Sequence, residues 1–211
     1  STTRDVNQLL TELKDEDIDT LILDLRSNGG GSLIEATNLA GLFIDHGPVV
    51  QVQDSSGNLE IHKDLKKGVS YDGPLVVLVD RFSASASEIV ASALQDYGRA
   101  VVVGEATYGK GSVQQLIDLN RFSRSKEAKL GQLKATIAQY FRVDGGSTQH
   151  KGVLPDINYV AGIKVSERGE RSLKNALPWS QITPANYSGQ IIARSVIDQL
   201  DKQHLTRVAD N

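Results

Sequence analysis

Three serines spaced by alanines, Ser83, Ser85 and Ser87 in RFSASASEIV, stand at the start of a segment with helical periodicity. Lys110 follows in TYGKGSVQQ, framed by Gly109 and Gly111. These residue types can carry acyl transfer. A hydroxyl at a helix start lies beside unpaired backbone N–H groups and the positive end of the helix dipole, where an oxyanion is stabilised. A lysine acts as a base near neutral pH only as the free amine, a form that apolar, water-poor surroundings favour. A serine nucleophile served by a lysine base is one reading of the pair.

Each residue also has a plainer reading. Ser83 or Ser85 can cap a helix, and Ser85 with Glu88 fits the S-x-x-E capping box. Small residues let a helix pack close to a sheet, a lysine is ordinarily a surface side chain, and Gly29, Gly30 and Gly31 can simply turn the chain at a strand end. A phosphate-binding loop is the other candidate for the glycines: Gly104, Gly109 and Lys110 fit G-x-x-x-x-G-K after an apolar strand. Gly111 then stands where a magnesium-binding Ser or Thr belongs, and VQQLIDL favours a strand over the required helix, so no nucleotide is expected.

The positioning elements follow from periodicity. Residues 3–17 read as an amphipathic helix, 19–27 as an apolar strand closed by NGGG, and 33–44 as a second helix stopped by His46-Gly47-Pro48. Strands are expected at 49–53, 74–80 and 100–105, with the Ser-Ala helix at 83–97 between the last two. That alternation predicts an α/β fold with a largely parallel sheet. Residues 113–119 and 134–143 read as strands around a charged stretch, RFSRSKEAKLG, expected to be a mobile loop. Residues 161–190 are polar with little period, and a last helix is expected at 191–205, before a fraying tail.

Composition narrows the function classes. The 211 residues carry 23 basic and 26 acidic side chains, a net charge of −3, which gives no electrostatic reason to expect nucleic acid. The absence of cysteine excludes disulfides and thiolate metal sites. His46, His62, His150 and His204 are scattered without metal-ligand spacing, and no apolar run approaches the roughly 20 residues of a membrane span. A chain without methionine is expected to be an excised domain or a processed piece.

Taken together, DLRSNGGG at a strand end, VDRFSASASEIVASALQDYGRAVVVGEATYGKGSVQQ and GGSTQHKGVLPDI resemble the carboxy-terminal processing peptidases, or tail-specific proteases. Residues 133–149 and NALPW at 175–179 are most similar to the long periplasmic members from Gram-negative bacteria. The resemblance implies a ClpP/crotonase-like α/β core of stacked strand-strand-helix units over residues 1–160, and a partly irregular C-terminal extension over 161–211 ending in a helix. It places the nucleophile on Ser85, the general base on Lys110, the lysine-orienting glutamine on Gln114, and the oxyanion-hole donors on the N–H groups of Gly31 and Ala86.

An even spacing along a strand would put Lys110 and Gln114 on one face, and a glycine at 31 would spare an approaching intermediate a Cβ. Asp96 matches a supporting position; it lies about 16 Å from Ser85 along the helix axis, where it is expected to anchor the helix end, with Arg26 or Arg99 as partner.

The resemblance further implies a periplasmic serine endopeptidase without cofactor. Its substrates would be proteins with apolar C-termini, recognised by a PDZ domain that these residues lack. Two other classes share the core: a silent binding or scaffolding domain, and a crotonase-type acyl-CoA enzyme, whose proton transfers generally use acidic residues.

Overall fold

Short β-branched runs build one sheet, and longer, more polar strands build another. The structure is a computed structural model that describes residues 1–124, 129–159, 169–189, 192 and 194–209. In chain order it contains α1 (Thr2–Leu13), β1 (Leu21–Asp24), α2 (Leu33–Ala40), β2 (Gly47–Asp54), β3 (Leu59–Asp64), β4 (Leu75–Val79) and α3 (Ala86–Asp96). There follow β5 (Val101–Gly104), β6 (Ser112–Asp118), β7 (Gln132–Phe141), β8 (Ile157–Asn158) and α4 (Arg194–Ala209).

The first sheet, ordered β1-β4-β5-β8, is parallel throughout, with Leu21 opposite Leu75, Val76 opposite Val101 and Val103 opposite Ile157. The second, β3-β2-β7-β6, is antiparallel. The apolar alternation therefore predicts the α/β class but not the pairing, since β2, β6 and β7 leave the parallel sheet. The β2–β3 hairpin turns on DSSGN: the Asp54 carboxylate accepts from the N–H groups of Ser56 and Asn58, at 2.8 and 2.9 Å, while Gly57 takes a positive φ of 86°. Strand β3, LEIHKD, carries too few apolar residues to be expected from periodicity alone.

Helix α3 lies in the middle. Every residue from Ala86 to Leu94 is buried, because a helix of Ala and Ser can approach its neighbours closely and packs against α2, β2 and β5. Ile89, Val90 and Leu94 join Leu39, Phe43, Val77, Val79, Val102 and Val143 in the main core.

Of the expected last helix, residues 191 and 193 fall outside the described set; α4 is described from Arg194 and runs to Ala209, further than expected. The expected mobile loop, residues 121–131, starts inside a 3-10 turn at Leu119–Phe122, and its residues 125–128 lie outside the described set. The expected boundary at 160/161 also falls outside it. Residues 177–185 are irregular yet well tied: Ser147 N–H donates to Ser180 O at 3.1 Å, Ile182 N–H to Gly145 O at 2.9 Å and Ala185 N–H to Val143 O at 2.8 Å. They form a strap along residues 143–149.

Candidate active site

Between β4 and α3 the chain is fixed from three sides. Asp80 accepts from the N–H groups of Ser27, Phe82 and Ser83, and the fully buried Ser83 hydroxyl donates to Leu25 O at 2.8 Å. Ser83 thus fastens β1 to this turn. Ser85 follows in a conformation that L residues seldom adopt, φ 58° and ψ −115°, immediately before the first residue of α3. Such backbone costs of order 1–3 kcal/mol and persists only where its surroundings hold it.

The glycine loop after β1 packs against this strained serine. A Cβ on Gly30, whose φ is 93°, would lie 2.5 Å from Ala84 O, 2.7 Å from Ala86 N and 3.0 Å from Ser85 Cβ. The packing demand for glycine therefore falls on Gly30, while a Cβ on Gly31 would meet no protein atom within 4 Å. A small cavity of about 90 Å³ opens between the two loops, lined by Gly30, Gly31, Ala86, Leu39 and Val90 among others.

What grips Ser85 also grips Lys110. Glu88 is fully buried, and its carboxylate accepts five hydrogen bonds: from Ser85 N–H at 2.7 Å, Lys110 N–H at 3.0 Å, Gly109 N–H at 2.7 Å, the Thr107 hydroxyl at 2.6 Å and, longest, the Tyr140 hydroxyl at 3.5 Å. Burial pushes its pKa up to about 7, although the Thr107 hydroxyl and the three backbone N–H donors pull the other way. The buried Tyr140 hydroxyl completes the clamp by contacting the carbonyls of Lys110 and of Ser85, the latter at 3.2 Å. Glu88 is visible in the sequence only as half of a capping box. The signal for more was an acid inside an otherwise small and apolar helix face. Tyr140, Thr107 and Gln149 lie within the stretches that carry the family resemblance, but no residue pattern there assigns them a role.

The glycines framing Lys110 are required by close packing. A Cβ on Gly109 would lie 2.9 Å from His150 C, and one on Gly111 would lie 2.7 Å from Ser147 Oγ. Lys110 itself is partly buried. The structure brings the backbones of Ser85 and Lys110 to one carboxylate, while Ser85 Oγ and Lys110 Nζ share no hydrogen bond among the described residues. Gln114 is exposed on β6. Lys110 precedes β6 and a register shift falls between Val113 and Gln114, so strand alternation does not place the two side chains on one face.

Asp96 closes the far end of α3. Its partner is Arg142, just beyond β7, whose Nε donates to Asp96 at 3.2 Å and whose Nη2 bonds both Asp96 and, at 3.0 Å, Gln95 Oε1. The two arginines expected for this role are engaged elsewhere: Arg26 pairs with Asp24 at 2.7 Å, and Arg99 donates to the carbonyls of Phe43 and Tyr71. Burial raises the Asp96 pKa to about 6, against the pull of the guanidinium.

A serine held in a strained turn between a strand and a helix N-terminus, faced by a glycine loop, is the arrangement of hydrolases that present a nucleophile on a sharp elbow. Comparison with known proteins gives the family. Residues 1–159 match Peptidase family S41 and residues 163–211 match the C-terminal domain of tail specific protease, and the chain belongs to family S41. It is 46% identical to the Tail-specific protease of Haemophilus influenzae over 98% of its length, which is 30% of that protein. It is 37% identical to the chloroplastic C-terminal processing peptidase of Tetradesmus obliquus over 74% of the chain and 32% of the relative. The chain thus spans about a third of these relatives. Among solved structures, a photosystem II D1 C-terminal processing protease superposes with a TM-score of 0.66 at 36% identity, covering 75% of this chain and 39% of that one. Mature CPAF, at 15% identity and a TM-score of 0.61 over 74% of this chain and 41% of its own, shares the fold.

Proposed function

We propose that these residues form the catalytic part of a serine endopeptidase of the carboxy-terminal processing type, with Ser85 as nucleophile and Lys110 as base. The observation that carries this reading is the single buried carboxylate of Glu88, which accepts from the backbone N–H groups of both residues. In the proposed reaction the neutral Lys110 amine takes the Ser85 hydroxyl proton as Oγ attacks a peptide carbonyl. The N–H groups of Gly31 and Ala86 receive the developing oxyanion. Lys110 then passes its proton to the leaving amine, and water activated by the same amine releases the acyl group and restores Ser85. Gln114 orients Lys110 once its side chain turns toward the amine, and Asp96 acts at a distance by tying α3 to Arg142.

Residues 1–160 serve as the catalytic core and 161–211 as a C-terminal extension. The substrates are proteins with apolar C-terminal tails, held by a PDZ domain of the longer protein, in the periplasm. The relatives' printed names support action at C-terminal tails, and the family resemblance alone supports the apolar tail, the PDZ domain and the periplasm. Turnover of an unfolded protein by the full-length enzyme tests the reading: Ser85→Ala abolishes cleavage, whereas Ser83→Ala and Ser87→Ala retain it in whatever fraction remains folded. Equal loss in all three would refute the assignment. The acyl-CoA alternative predicts thioester chemistry that survives Ser85→Ala, and a silent scaffold predicts no cleavage by the wild type.

A further inference from the structure

Gln149 is completely buried and both ends of its amide are used. Its Oε1 accepts from Gly111 N–H at 2.7 Å, and its Nε2 donates to Leu177 O at 2.9 Å, on the strap. The first of these bonds falls on the peptide unit that joins Lys110 to Gly111. The carbonyl of the same planar unit is held by the Tyr140 hydroxyl and, at 3.4 Å, by the Thr148 hydroxyl. A peptide plane held at both its C=O and its N–H has no freedom to rotate, and its orientation fixes ψ of Lys110 and the path of that residue's backbone. The same glutamine reads the position of the strap. Around Leu177 the strap is seated by Trp179, whose indole N–H donates to Ser147 O at 2.8 Å and whose ring lies 3.5 Å from the Lys151 ammonium, and by Ser180, whose hydroxyl donates to Gln139.

We propose that Gln149 is a positioning residue for Lys110, and that it makes the base's geometry depend on the seating of residues 177–180. This rests on the Ser-Lys reading above. When the strap is seated, the Gln149 amide has an acceptor for its N–H and is locked with its oxygen toward Gly111. When the strap lifts, that acceptor is lost, the amide must find another partner, and the Lys110–Gly111 peptide is released on its N–H side. The C-terminal extension then acts as part of the catalytic geometry although none of its described residues bonds Ser85 or Lys110 directly. The effect belongs to proton transfer and not to substrate capture, so it falls on kcat and on the rate at which Ser85 is activated.

The test uses the full-length protein, with two readouts: kcat and KM on an unfolded substrate, and the rate of fluorophosphonate labelling of Ser85 across pH. Gln149→Leu removes both hydrogen bonds at nearly constant shape. It should lower kcat and the labelling rate by up to about 100-fold, the scale of a small displacement of a catalytic group, with KM little changed and the acid limb of the labelling profile displaced. Trp179→Phe, which removes one strap hydrogen bond and keeps a ring over Lys151, should shift both readouts in the same direction by less. If Gln149→Leu does not fold, Trp179→Phe carries the test alone. Wild-type kcat and an unmoved profile in the folded variants, with Lys110→Ala inactive, would overturn the proposal and leave the Ser-Lys reading intact. A fall in activity that merely tracks lost thermal stability, with the profile unmoved, would also overturn it. Wild-type labelling in Lys110→Ala would instead remove the base itself, and the proposal with it.

Discussion

Glu88 is where single-residue chemistry is most constrained, because a buried carboxylate is expensive unless its lone pairs are satisfied. Here five donors satisfy them, yet burial still lifts the pKa from 4.5 to about 7. The folded state therefore holds the Glu88 proton more tightly than the unfolded chain. The resulting stability is complete below about pH 4.5 and is lost as pH rises through about 7. The unfolding free energy of the wild type relative to Glu88→Gln should fall by on the order of 3 kcal/mol between about pH 4 and pH 8. Parallel stability curves for the two proteins would show that Glu88 keeps an ordinary pKa. The serines differ in kind at this scale. Ser83, which accepts from Asp80 N–H at 3.0 Å and donates to Leu25 O, should cost about 1–3 kcal/mol of stability when changed to Ala, read by denaturant unfolding. Its expected role as a helix cap gives way to that of a tie between β1 and the turn.

Among the elements, α3 is anchored at both ends, by Glu88 near its start and by the Asp96–Arg142 pair at its end. Asp96→Ala leaves the buried Arg142 with only the more distant Asp144 carboxylate, at 3.9 Å, and should destabilise by about 3 kcal/mol, whereas Arg99→Ala leaves that pair untouched. Similar losses for the two variants would argue against the pair as the anchor. The sequence reveals α3, β4 and β5 because their apolar and small residues keep one period over a whole element. It does not reveal that Asp96 meets Arg142, since that contact depends on how β7 pairs with β2 and so on the whole second sheet. The same dependence hides Tyr140, one aromatic among several, until its strand is placed over α3. Conversely, the motif around Ser85 and Lys110 is legible as a joint pattern, although each residue alone has a plainer reading. The structure adds that close packing demands the glycines at 30, 109 and 111, and the sequence does not single out Gly30 from its neighbours.

Across the molecule, the strap runs beside the loop that carries His150 and on toward the end of α3, where Tyr187 packs on Tyr97 with ring centroids 5.2 Å apart. Parts that match two family descriptions therefore meet around one helix. No described helix is long and apolar enough to cross a membrane. If capture of the tail resides in a PDZ domain, these 211 residues alone should cleave an unfolded protein slowly and equally well with a free or an amidated C-terminus. A strong preference for the free tail in this piece would place recognition within it.

The pairing of Ser85 with Lys110 is tested most directly by mapping a fluorophosphonate adduct in the full-length protein and in its Ser85→Ala and Lys110→Arg variants. Arginine keeps the charge but cannot serve as a base. The predicted result is one adduct, on Ser85, absent from Ser85→Ala and lost or slowed by orders of magnitude in Lys110→Arg. An adduct on another serine, or wild-type labelling of Ser85 in Lys110→Arg, would contradict the Ser-Lys account.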